Sequence, residues 1–267
     1  METTPSNGAE DRSVSPRMLF WSALTTSALA LIAFAVAATT PPRTGPFAAP
    51  ASLLAYPYAA ADRFVPGDFI WMYPALLMVL AYLFLSVCLR ERASVRVRTW
   101  ATFGLSLAIT AFTALTIAYF IQIFTIQPAL MGHEAADVVA LSQYNPHGLF
   151  IALENLGYLA MALSLGAFAW TLGETRLERA ARWVLAGAAV LAVLALALMS
   201  FAYGIGLEYR FEVAIITIDY FALILGGALI AASSRRVKQS DDRYHQPTST
   251  ATAASWSTRA PLPRARV

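Results

Sequence analysis

FIWMYPALLMVLAYLFLSVCL (69–89), RERASVRVRTW (90–100) and ATFGLSLAITAFTALTIAYFIQIF (101–124) together decide the fold. Two long apolar runs flank a short link that carries Arg90, Arg92, Arg96 and Arg98. A helix rises about 1.5 Å per residue, so either run is long enough to cross a hydrocarbon core of about 30 Å. The pair reads as a transmembrane hairpin. The same kind of run recurs at 18–38, 148–171, 183–205 and 212–232. The expected fold is an all-α bundle of six transmembrane helices.

Charge orients it. Sixteen of the 19 Lys and Arg fall in the N-terminal segment, the 90–98 link, the 176–182 link and the C-terminal tail. Only Arg43, Arg63 and Arg210 fall on the opposite side, and 125–147 has none. The positive-inside rule then places both termini in the cytoplasm of a plasma membrane. The net charge of +3 reflects this topology and an affinity for anionic lipid head groups. No interleaving of arginines and aromatics suggests a nucleic-acid surface.

Composition agrees: 58% of residues are hydrophobic and 13% charged, against about 25% charged in soluble domains. Cys88 is the single cysteine, which excludes an intrachain disulfide, and it reads as a small apolar packer. Arg17, an apolar run and Ala35-Val36-Ala37 resemble a secretory signal with a small-residue cleavage site. The run is longer than a usual signal core and follows Glu2, Glu10 and Asp11, so the first helix is read as retained. Cleavage would leave five helices.

Residues 1–16 and 235–267 read as disordered cytoplasmic segments around a transmembrane domain at 17–234, because neither buries enough apolar surface to offset its ordering entropy. Six prolines between 41 and 66 exclude a regular helix over 39–68. Asp68 is the expected N-cap of the second helix. Residues 135–141 are expected to form a short outer helix, and Asn145-Pro146-His147-Gly148 a turn. Small residues (Ala188, Ala192, Ala195; Ala222, Gly226, Gly227) predict close packing of the last two helices. The same faces would also serve a homo-oligomer.

The functional signal is a polar layer near the outer side. The third stretch ends with Tyr119 and Gln122. The fourth carries His147 at its mouth, then Glu154, Asn155 and Tyr158. The sixth carries Glu212 at its mouth, then Asp219 and Tyr220. At about 1.5 Å per residue, Tyr119, Glu154 and Asp219 all lie about 10 Å below the helix ends. His147, Glu154 and Tyr158 follow a helical spacing that puts them on one face. Carboxylates facing lipid cost several kcal/mol, so both acids are expected to face the interior. No Lys or Arg lies at their depth, and neighbouring carboxylates tend to share a proton. Such a site would bind a proton, a cation, or the amine or hydroxyl of an amphipathic ligand. The structural alternative is that Glu154 bonds to Tyr119 or Gln122 and simply ties helices together, while Asp219 pairs with Tyr209 or Arg210.

His133 and Asp137 stand four apart, with His147 as a possible third metal ligand, but the second histidine of a zincin motif is missing and no cysteine is near. The segment reads as a solvated helix start, and no metal or cofactor is expected. Nucleophilic triads, Gly-rich phosphate loops and dinucleotide fingerprints are absent from the sequence.

Phe69-Ile70-Trp71-Met72-Tyr73-Pro74, Tyr119-Phe120-Ile121-Gln122 and Ser142-Gln143-Tyr144-Asn145-Pro146-His147-Gly148-Leu149-Phe150-Ile151-Ala152-Leu153-Glu154 resemble a group of uncharacterised prokaryotic multi-pass membrane proteins. The resemblance covers about a third of the chain, implies the topology and adds no mechanism. Three classes of function fit the sequence. The first is a ligand- or ion-binding membrane protein using Glu154, Asp219, Asn155, Tyr119, Gln122, Tyr158 and His147. The second is a structural or assembly partner, and the third a membrane enzyme with Glu154 or Asp219 as acid/base.

Overall fold

The computed structural model describes residues 14–244; the rest of the N-terminal segment and of the tail, 1–13 and 245–267, lie outside the described residues. Among the described residues there are six helices long and apolar enough to cross a membrane, and no strand. They are α1 (Pro16–Ala38), α2 (Met72–Arg92), α3 (Arg98–Ile121), α4 (Leu149–Ala169), α5 (Arg176–Tyr203) and α6 (Glu208–Tyr244). Ser15 caps α1 by accepting from the Arg17 N–H, ahead of Pro16 in the first turn, where a missing donor costs little.

Two helices outrun their apolar stretches. Beyond Ile121, α3 continues through a π-helical turn (Gln122–Ile126) and a last α-helical turn (Gln127–Met131). The sixth helix runs on to Tyr244, ten residues into the segment read as a disordered tail; no Gly or Pro falls between Gly227 and Pro247 to stop it. The proline-rich connection contains only 3₁₀ turns, from Gly45–Phe47 to Gly67–Phe69. Within 135–141 only Ala135–Val138 is helical, as a 3₁₀ turn.

Each helix packs on its sequence neighbours, α6 closes the ring against α1, and α4 also reaches α6. The helix on the rim is α5, with only 17% of its apolar window buried, so most of its surface is left for lipid. Small residues set the spacing around α6. A Cβ on Gly226 would stand 2.7 Å from Leu185 of α5. One on Gly227 would stand 3.0 Å from the Ala23 carbonyl oxygen of α1, beside a bond from Ser27 Oγ to the Ile224 carbonyl at 2.7 Å. The two adjacent glycines thus serve different neighbours: Gly226 packs on α5, as the small-residue pattern predicts, and Gly227 on α1.

The face with the short arginine-bearing links is pinned by Glu178. Thr175 caps the start of α5, its Oγ1 accepting from the Glu178 N–H at 3.1 Å, while Glu178 Oε2 reaches back past the cap to accept from the Glu174 N–H at 3.0 Å. Arg92 reaches across from α2 to Glu178 at 2.6 Å. The opposite face carries the long 39–71 and 132–148 connections, and the polar cluster lies beneath them.

Candidate functional site

Three helices bring the cluster together. Tyr119 of α3 donates to Glu154 Oε1 of α4 at 2.8 Å. The Tyr119 and Tyr158 hydroxyls are 2.7 Å apart, and those of Tyr158 and Tyr220 are 3.4 Å apart. Each hydroxyl has one proton. With Tyr119 donating to the carboxylate, Tyr158 donates to Tyr119 and Tyr220 to Tyr158. All four side chains are buried, and Trp71 closes over Tyr119 edge-on at 5.3 Å between ring centroids.

Glu212, one turn inside α6, supplies the second carboxyl group of the site. The Glu154 and Glu212 side chains lie within hydrogen-bonding reach of one another. The Oε2 atoms of both are buried without a hydrogen-bond partner. No ion pair joins either to an Arg or Lys among the described residues.

The other residues singled out from the sequence are placed differently. Both Asp219 oxygens are buried without a partner, so no hydrogen bond joins the side chain to Glu154, and Asp219 does not line the cavity described below. Tyr209 and Arg210 bond elsewhere: the tyrosine to the Gln143 carbonyl and Thr44, the arginine to the Gly206 carbonyl. Gln122 is fully buried as a clamp on the 132–148 connection; its Nε2 donates to the Leu141 carbonyl at 2.6 Å and its Oε1 accepts from the Gln143 N–H at 2.9 Å. Asn155 is half-buried with its Oδ1 unpartnered. His147 is exposed and precedes α4, its N–H bonded to Asn145 Oδ1 in a local turn, so it does not share the face of Glu154. His133 stands 4.0 Å from Asp62, and no three His, Cys, Asp or Glu converge among the described residues.

Beside the cluster is a cavity of about 470 Å³. Glu212, Tyr158 and Tyr220 form its polar wall, with Phe34, Trp71, Phe150 and Ile216 around them. Its opposite end is closed by the loops. Arg43 donates to Asp68 through Nε and Nη2, both at 2.9 Å, and lies 3.7 Å over the Phe64 ring. Tyr144 donates to the same carboxylate at 3.2 Å. This replaces the N-cap expected of Asp68: α2 begins at Met72 with no side-chain cap, and the carboxylate is committed to Arg43. The bonds to Asp68 push the Arg43 guanidinium above its ordinary value, and burial followed by the Asp68 charge raises the Tyr144 phenol. Thr44 ties this loop to the others, donating to the Tyr144 carbonyl at 2.8 Å and meeting the Tyr209 hydroxyl at 2.7 Å.

Ala37 and Ala38 of α1, residues of the 40–47 loop, and Val213, Ile216 and Thr217 of α6 also line the cavity. Phe47 and Val213 in this lining are each 49% exposed. Glu154 and Tyr119 lie one layer behind Glu212 and do not line the space. The sequence had placed Glu212 at a helix mouth; its role beside Glu154, and those of Arg43, Asp68, Tyr144 and Tyr209, depend on loop contacts that have no local sequence signal.

No known protein family, curated protein or solved structure matches the chain. The resemblance noted above rests on its quoted residues alone.

Proposed function

We propose that this is an integral membrane protein of a prokaryotic plasma membrane, with both termini cytoplasmic, that binds a small amphipathic ligand in the cavity between α1 and α6. The arginine distribution and the resemblance to prokaryotic multi-pass proteins support the setting, and put the cavity on the outer side. Glu212 carries the binding reading. It is 9% exposed and lines the cavity, and no ion pair joins it to an Arg or Lys among the described residues. A polar group left unpaired at a mainly apolar wall costs about 1–3 kcal/mol. A ligand that supplies a partner at the cavity face recovers this. The volume falls within the range of roughly 300–1,000 Å³ that small-molecule sites occupy, with mainly apolar walls and few polar groups. A mouth between Phe47 and Val213 would admit a molecule from the outer leaflet.

A structural role is the second reading, favoured by Gln122, whose amide is spent wholly on holding the 141–143 backbone. One experiment separates the two. Wild-type protein and Ile216→Trp, which fills the cavity, are isolated in native-lipid particles, and their bound small molecules are extracted and weighed by mass spectrometry. The binding reading expects a near-stoichiometric species in the wild type that the variant lacks. An identical extract from both proteins, or none from the wild type, favours the structural role.

A further inference from the structure

Resting on that binding reading, we propose that the ligand is an organic monocation, an amphipathic amine or quaternary ammonium, with Glu212 as its counter-ion. The charges around the cavity select it. Arg43 and Asp68 neutralise one another through two hydrogen bonds at 2.9 Å, so the loop end contributes no net charge. At the other end, Glu154 and Glu212 lie against each other, with Oε2 of each lacking a donor. One hydrogen held between the two carboxyl groups leaves the pair with a single negative charge.

The tyrosines decide where that charge is felt. The chain from Tyr220 through Tyr158 to Tyr119 delivers its last hydrogen to Glu154 Oε1. On Glu212's own helix, Tyr209 directs its hydroxyl to the Gln143 carbonyl and Thr44. Glu154 is therefore supplied with a donor from the protein, and Glu212, the member of the pair that lines the cavity, is left to be supplied from it.

The walls select an organic cation over a bare ion. A cavity of about 470 Å³ is far larger than a metal ion, and no three metal-binding side chains converge among the described residues. The aromatic rings of Phe34, Trp71, Phe150, Tyr158, Tyr209 and Tyr220 border the space. Their electron-rich faces attract an ammonium within about 6 Å of a ring centroid, while their bulk accepts an apolar body. An anionic ligand meets the carboxyl pair with no unspent cation to receive it.

The test is calorimetric titration of the full-length protein in lipid nanodiscs at neutral pH, with protein-free discs as the blank. Phenethylammonium, 2-phenylethanol and 3-phenylpropionate share an aromatic body and differ in head-group charge. The ammonium should bind at least about tenfold tighter than either of the others, a difference of about 1.4 kcal/mol. Glu212→Gln should abolish that preference, and Asp219→Asn, outside the cavity, should keep it. If the alcohol or the carboxylate binds as well as the ammonium, the cation assignment fails while the cavity still stands as a binding site. If Glu212→Gln keeps the full preference, Glu212 is not the counter-ion and the proposal falls. If none of the three binds the wild type, the proposal and the binding reading fail together.

Discussion

The Tyr119 hydroxyl donates to Glu154 Oε1 at 2.8 Å, between α3 and α4, and this bond fixes the hydrogen-bond direction of the tyrosines behind it. Tyr119→Phe removes the donor and leaves a fully buried carboxyl oxygen unpaired. The expected loss is about 1–2 kcal/mol of stability, read as a lowered midpoint in denaturant or thermal unfolding in detergent. Tyr220→Phe, which removes only the 3.4 Å contact at the far end of the chain, should cost less than half as much. Equal losses would show that the chain does not run in this direction.

Glu212→Gln separates binding from stability. The new amide N–H takes the place of the hydrogen shared with Glu154, so the unfolding midpoint should hold. Affinity for the cavity ligand should fall by roughly tenfold or more, the loss of about 1.4 kcal/mol or more of charge pairing. A variant that loses stability and affinity together would show Glu212 to be a packing residue.

Asp219 gives a prediction of opposite sign to Tyr119. Neither of its oxygens has a partner, and the residue is fully buried. Asp219→Asn keeps the shape and removes a potential buried charge; stability should rise by about 1 kcal/mol. Unfolding measured beside the wild type checks this, and a loss would mean that Asp219 holds a partner in the membrane-embedded protein.

Gly45 has φ of 73°, in the left-handed region, and a Cβ there would stand 2.3 Å from the Tyr209 ring. Gly45→Ala must therefore displace Tyr209 and its bonds to Thr44 and the Gln143 carbonyl. The cost, about 1–3 kcal/mol of backbone strain and overpacking, should fall on the loops over the cavity. Faster proteolysis of the 39–68 and 132–148 connections, with the helices still protected, is the expected pattern.

The same loops should loosen in alkali. Burial and Asp68 hold the Tyr144 phenol above its ordinary value, so the folded protein keeps a proton that the unfolded chain releases. The resulting stability is complete below about pH 10, the unfolded value, and is lost as pH rises through the folded one. Hydrogen exchange of the 141–147 backbone should accelerate above that pH in the wild type. Tyr144→Phe, which has no phenol to ionise, should show a flatter profile.

Run length gave the six helices directly, because a span of hydrocarbon admits only backbone whose hydrogen bonds are satisfied within the segment. The Tyr119–Glu154 contact was also within reach, since both lie within about 10 Å of the ends of their apolar stretches. Pairing Glu154 with Asp219 was not justified by the same arithmetic. It took Glu212 as the mouth of its helix, whereas α6 begins at Glu208 and Glu212 already sits one turn inside. Depth along a helix also says nothing about rotation around it, and neither Asp219 oxygen meets a hydrogen-bond partner. The Arg43–Asp68 pair joins two points of an irregular loop whose path no periodicity encodes. Gln122 looked like a site residue because a buried amide gives the same sequence signal whether it meets a ligand or a loop backbone.

An accessible cavity whose charge selects cations through Glu212 can be probed from Thr217. Thr217 lines it, and its hydroxyl is engaged only with the Val213 carbonyl of its own helix. Cys88, the single native cysteine, is buried. The measurement is the reaction rate of Thr217→Cys, on a Cys88→Ala background in nanodiscs, with two methanethiosulfonate reagents of equal size, one cationic and one anionic. The cationic reagent should react roughly tenfold faster or more, and Glu212→Gln should bring the two rates together. No reaction with either reagent, or equal rates with Glu212 intact, would contradict an accessible, cation-selecting cavity.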